Sequence, residues 1–158
     1  ADKFKTNLSL IKTVIKSNEN RSSLLIKRVL EILNKKIKNK KISFLGVTFK
    51  ANTDDMRDSS CLSMIPSLSK MGAKINYYDP TGSKSELARY KNVIYSKDIK
   101  SAISKSDLII IHTEWNDFKS INFKSLAKNK KVIIFDMRNL YSPAKMKKSN
   151  IKYFSVGR

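Results

Sequence analysis

Residues 42–68, ISFLGVTFKANTDDMRDSSCLSMIPSL, run from an apolar stretch through one glycine and a burst of charge into a second apolar stretch of different period. Ile42–Val47 reads as a strand, and Cys61–Met71 as a helix that Gly72 ends, glycine being suited to the left-handed position after a helix. The same alternation continues to the C-terminus. Lys74–Tyr78 reads as a strand closed by Asp79-Pro80, Ser83–Tyr90 as a short helix, Val93–Tyr95 as a short strand and Ile99–Ser104 as a helix. Leu108–His112 is a fully buried strand, Phe123–Ala127 a helical connector and Val132–Phe135 another buried strand, with Tyr153–Ser155 at the sheet edge. Continuous branched apolar runs alternating with amphipathic ones specify a parallel sheet covered on both faces. The expected fold class is therefore α/β, a Rossmann-like parallel sheet.

A helical arm precedes it. From Leu8 to Leu33 apolar residues recur at spacings of three and four, including Leu10, Ile11, Val14, Ile15, Leu25, Val29 and Leu33, with an interruption expected near Ser17-Asn18. The wide stripe calls for a packing partner outside the arm itself.

Composition bounds the function classes. At 158 residues the chain suits one good core, and 41% hydrophobic residues with three prolines and four glycines describe a folded domain. The longest apolar run is too short for a bilayer, and Lys3, Lys5 and Lys12 break any apolar leader. The lone cysteine, Cys61, forms no internal disulfide, which fits the cytoplasm. A net charge of +20 invites a nucleic-acid reading. Against it, 27 of the 33 basic residues are lysine and six are arginine, whereas base readout leans on arginine forks. The lysines are also spread over the chain, densest in turn-like stretches such as 35–41, 128–131 and 145–148. A polyanionic small molecule is the better partner.

In such sheets ligands bind beyond the carboxyl ends of the strands. Three segments leave strands there with unusual chemistry: FKANTDDMR (49–57), HTEW (112–115) and DMRNLY (136–141), and they should converge at one rim. The first lacks G-x-G-x-x-G, so the usual dinucleotide fingerprint is absent. It offers Lys50 as a point charge, Arg57 as a rigid fork and a helix start near Asp58–Ser60, groups suited to a phosphate or diphosphate. Asp54, Asp55 and Asp58 suit caps and turns. Arg138 is placed to fork onto a carboxylate, a phosphate or a base carbonyl, or to pair with Asp136. Cys61 lies in the first turn of its helix but has no histidine beside it, so it reads as a buried structural thiol. His112, the only histidine, reads as a strand-end ring satisfied by hydrogen bonds, and one Cys with one His supports no metal site. Trp115 and Phe118 read as packing residues.

Together these residues resemble the C-terminal domain of the UDP-glucose/GDP-mannose dehydrogenase family. Residues 44–68 resemble its strand–loop–helix signature, whose recurring core is G-x-x-F-K-x-x-T-D-D-x-R-x-S. GAKINYYDP (72–80), HTEWNDF (112–118), DMRNLYSP (136–143) and YFSVGR (153–158) agree in order, and LSLIKTVIKSNENR (8–21) resembles the tail of the family's central linking helices. The resemblance implies two domains, a linking and dimerisation arm over 1–38 and a Rossmann-like UDP-sugar-binding domain over 39–158. It implies a two-step, NAD-dependent oxidation of a sugar nucleotide to a uronic acid. By motif the substrate is UDP-glucose, with UDP-N-acetyl-amino sugars and GDP-mannose as alternatives and a basic nucleic-acid-binding module as the alternative of another class. By matching positions Phe49, Lys50 and Arg138 contact the nucleotide sugar, and Arg57 reaches NAD. The family's catalytic cysteine and its NAD-binding N-terminal domain match nothing in these residues. No catalytic residue is therefore assigned to this chain, which is expected to be inactive alone and to belong to a homodimeric parent.

Overall fold

The computed structural model describes residues 9–126, 132–149 and 151–157. Residues 1–8 of the expected arm, Ala127 of the expected connector, the lysine-rich stretch 128–131 and Arg158 lie outside the described residues, as do the side chains of Leu10, Ile11, Val14 and Ile15.

Helix α1 spans Ser9–Ile32 and leads to β1, Lys41–Leu45. There follow α2 (Cys61–Lys70), β2 (Lys74–Tyr78), α3 (Ser85–Ala88), β3 (Val93–Tyr95), α4 (Ile99–Ile103) and β4 (Leu108–Ile111). The chain ends through α5 (Asn116–Lys119), α6 (Phe123–Leu126), β5 (Ile133–Asp136), α7 (Pro143–Lys148) and β6 (Lys152–Ser155). The strands form one six-stranded sheet in the order β3-β2-β1-β4-β5-β6, and every neighbouring pair is parallel. The expected α/β, Rossmann-like sheet is what forms. Strand order reverses between β1 and β4, where such sheets open a crevice for a ligand.

Alternation of side chains along each strand divides the core in two. Ile42 and Phe44 of β1, Leu108 and Ile110 of β4 and Phe135 of β5 pack with Leu25, Val29 and Ile32 of α1 and Met64, Ile65 and Leu68 of α2. Leu45, Ile109, Ile111 and Ile134 pack on the opposite face with Ala102 and Ile103 of α4, Phe118 of α5 and Phe123 of α6. The second half of α1 therefore finds its packing partner in the sheet of its own chain. Its backbone also runs unbroken through Ser17-Asn18, where an interruption was expected. Polar residues on one helix face do not stop a helix whose opposite face keeps its period.

β1 stops at Leu45, two residues before the expected end, because Gly46 turns the chain at φ +75°. The amide of Gly46 still donates to the Tyr78 carbonyl at 2.8 Å, so β1 and β2 release their loops together. The expected helix over 83–90 shrinks to Ser85–Ala88. No helix among the described residues is long and apolar enough to cross a membrane.

Candidate functional site

A cleft of about 870 Å³ lies at the carboxyl ends of β1, β4 and β5. Phe49 lines it from the loop after β1, His112 from the loop after β4, and Met137 and Arg138 from the loop after β5. Asp58, Ser59 and Ser60 contribute from the approach to α2, and Arg21 and Leu25 from α1. The three loops singled out by their chemistry thus converge at one rim.

Arg138 is what ties them. Its Nε donates to the His112 carbonyl at 2.7 Å and its Nη2 to the Phe49 carbonyl at 3.0 Å. Glu114 Oε2 lies 2.9 Å from the same Nε. That nitrogen has one hydrogen and directs it at His112, so the carboxylate oxygen contributes charge without a hydrogen bond and is buried without a donor. The guanidinium keeps three further N–H groups, and the side chain is 32% exposed. The alternative pairing of this guanidinium with Asp136 does not form. The Asp136 carboxylate is buried and accepts instead from the Arg138 amide (2.9 Å), the Tyr141 amide (3.0 Å) and the Tyr153 hydroxyl (2.7 Å). It shapes the turn from which Arg138 leaves.

The loop after β1 has a second anchor that sequence reasoning missed. Asp79, buried at the end of β2, accepts on Oδ2 from the Val47 amide at 2.8 Å and on Oδ1 from the Thr81 amide at 3.0 Å and the Thr81 hydroxyl at 2.6 Å. The signal available was an aspartate closing a strand before proline, which reads equally well as a turn former.

His112 is 2% exposed and both ring nitrogens are engaged. Thr113 Oγ1 spends its proton on the Thr48 carbonyl (2.9 Å), so it accepts from His112 Nδ1 (3.1 Å). Nε2 is then the acceptor for the Ser60 hydroxyl at 2.8 Å. Burial, reinforced by the Arg138 charge, pushes the imidazole pKa from 6.5 down to about 3, so the ring is neutral. The expected satisfied strand-end histidine is observed. It pins the start of α2 to the loop after β4.

Of the other residues the sequence singled out, Phe49 is 48% exposed at the cleft. Lys50 is exposed and does not line it. Arg57 also lies outside the lining, with its side chain 88% exposed. It is held by Asp55 in a two-point fork, Nε to Oδ1 at 3.0 Å and Nη2 to Oδ2 at 2.9 Å. The Arg57 hydrogen bonds hold the Asp55 carboxyl below its usual range. Cys61 is fully buried and burial raises its thiol pKa, so it is structural. Trp115 packs in the core beneath the rim, as expected.

The turn after β1 does not fit a dinucleotide. A Cβ at Gly46 would lie 2.5 Å from Thr113 Cβ, so protein fills the space a pyrophosphate would need. Asp79, at the strand end where dinucleotide folds place a ribose ligand, is turned inward on its own loop.

Residues 43–143 match the family described as "UDP-glucose/GDP-mannose dehydrogenase family, UDP binding domain". The chain belongs to this family. Among its relatives, the UDP-glucose 6-dehydrogenase of Rhizobium meliloti (strain 1021) is 33% identical over 97% of the chain and 35% of its own length. That of Rickettsia conorii is 35% identical over 94% of the chain and 35% of its own length. The chain therefore spans about a third of the curated relatives it matches. Among solved structures, a UDP-D-ManNAc dehydrogenase from Pyrococcus horikoshii superposes with a TM-score of 0.78 at 25% identity, covering 98% of this chain and 35% of that one. A UDP-glucose dehydrogenase from Pyrobaculum islandicum, at 0.77 and 21% identity over 99% and 33%, shares the fold. Within the family signature, the G-x-x-F-K stretch (46–50) and the loop after β5 meet at Arg138.

Proposed function

We propose that the chain is the nucleotide-sugar-binding, C-terminal part of an NAD-dependent UDP-glucose 6-dehydrogenase. The observation that carries the reading is the Arg138 guanidinium. It is fixed by two backbone carbonyls at the strand-order reversal, in a family's UDP-binding domain, with three N–H groups to spare. A fork held in advance binds a diphosphate or a base carbonyl at low entropic cost. Phe49 offers an exposed ring beside it for the base or ribose face, and Lys50 adds a nearby charge. The approach to α2 supplies Asp58 as an acceptor for sugar hydroxyls.

NAD, when bound, supplies the hydride acceptor for the two-step conversion of UDP-glucose to UDP-glucuronate. Because the turn after β1 does not fit a dinucleotide, NAD belongs to an N-terminal domain of the whole enzyme. Arg57, exposed and oriented by Asp55, is the group this chain extends toward it. The chain's own residues bind, orient and close over the nucleotide sugar. In the same reading residues 1–38 end the linking helices of a cytoplasmic homodimer whose product serves polysaccharide biosynthesis, and residues 39–158 form the binding domain. The superposition on the Pyrococcus horikoshii enzyme favours a second substrate, a UDP-N-acetyl-amino sugar.

Calorimetric titration of UDP into the chain tests the reading. UDP binds, Arg138→Ala weakens it, Arg57→Ala does not, and the chain alone forms no NADH from UDP-glucose and NAD. No heat from UDP at millimolar concentration, or oligonucleotide binding with a steep salt dependence in its place, contradicts the reading.

A further inference from the structure

Leu33, just past the end of α1, and Val29 and Leu25 within it are spaced by four and buried. One further step of four reaches Arg21, which lines the cleft together with Leu25. A helix that merely linked domains would continue its apolar stripe there, and Arg21 is instead an exposed charge at the cleft wall. Here the stripe changes to a guanidinium at the point where the core stops and the cleft opens. Arg28, on the same helix, is occupied by Glu31 at 3.1 Å and by the Phe154 ring 5.5 Å away. Among the described residues, no hydrogen bond, ion pair or ring contact holds Arg21. The charged side chains in the lining are Arg21, Asp58 and Arg138, and two of the five N–H groups of Arg138 face protein acceptors.

We infer that Arg21 is a second anion-binding residue of the cleft, closing from α1 on the diphosphate of the nucleotide ligand opposite Arg138. The inference rests on the cleft being the nucleotide-sugar site. It makes α1 a wall of that site. It also divides the labour of the two arginines: Arg138 positions the loops and offers what remains of its fork, whereas Arg21 is committed to the ligand alone.

The test is calorimetry with the whole chain, using UDP and uridine as probes for wild type, Arg21→Ala, Arg21→Lys and Arg138→Ala. Losing one charge-assisted contact to a diphosphate weakens binding roughly ten- to a hundredfold. Arg21→Ala is expected to show that loss for UDP and none for uridine, with partial recovery in Arg21→Lys and an unchanged melting temperature. If UDP binds wild type and Arg21→Ala binds it equally well, Arg21 has no such role, while the reading of the cleft stands on its Arg138 response. If UDP fails to bind wild type, both fall.

Discussion

Replacing Arg138 removes more than a ligand contact, because its guanidinium is the brace between the loops after β1, β4 and β5. Arg138→Ala deletes the 2.7 Å bond to the His112 carbonyl and the 3.0 Å bond to the Phe49 carbonyl. It also leaves the Glu114 carboxylate without the cation 2.9 Å away. Hydrogen bonds with a charged partner contribute about 1.5–3 kcal/mol each when well buried. With the side chain 32% exposed, the lower half of that range applies to both. The Glu114 pair, screened by water, adds under about 1 kcal/mol. The expected loss is about 3–5 kcal/mol, or roughly 6–20 °C in melting temperature for a chain of this size. Arg138→Lys keeps the charge but cannot reach two carbonyls from a fixed plane, so it should recover no more than about half. Urea unfolding at pH 7, followed by circular dichroism, measures both variants. If Arg138→Ala unfolds within about 0.5 kcal/mol of wild type, as an ordinary surface change does, the brace is not there.

Gly46→Ala, at φ +75° with a Cβ 2.5 Å from Thr113 Cβ, should destabilise the fold by more than about 2 kcal/mol, and a wild-type unfolding midpoint would contradict this. Asp79→Asn sets an amide NH₂ against either the Val47 or the Thr81 amide, since both carboxylate oxygens accept backbone N–H groups; a loss of about 1–3 kcal/mol is expected in the same assay. His112, with a folded pKa of about 3 against about 6.5 unfolded, favours the unfolded state as pH falls through that interval. Its contribution to stability is complete above pH 6.5 and declines by about 1.4 kcal/mol per unit below it; His112→Gln should remove that slope, and an imidazole seen by NMR to titrate near 6.5 would refute the assignment.

The sheet was legible because its central strands are buried on both faces and so give short apolar runs such as LIII (108–111), bounded by polar stretches too close together for a helix of ordinary length. Convergence of the loops followed from that alone, since parallel strands release their loops at one edge. What could not be read was the direction of the polar side chains in those loops. Arg57 and Asp55 stand two residues apart, and only the backbone turn decides that they fork onto each other. Asp136 and Arg138 have the same spacing and do not pair, because Asp136 is drawn inward by Tyr141 and Tyr153. Asp79 and Glu114 act through partners 32 and 24 residues distant, a separation that local pattern cannot span. Arg21 did not stand out in the sequence, because apolar residues recur on both sides of it along the arm, and it carries meaning only once the cleft is seen to open there.

Backbone amide shifts of the isotope-labelled chain, followed by NMR as UDP is added, test the central claim most directly. Saturable changes should gather at Arg21, Phe49, Ser60, His112 and Arg138, around the cleft at the ends of β1, β4 and β5. Changes confined to the lysine-bearing surface of α7, at Lys145, Lys147 and Lys148, or no saturable change at all, would contradict it.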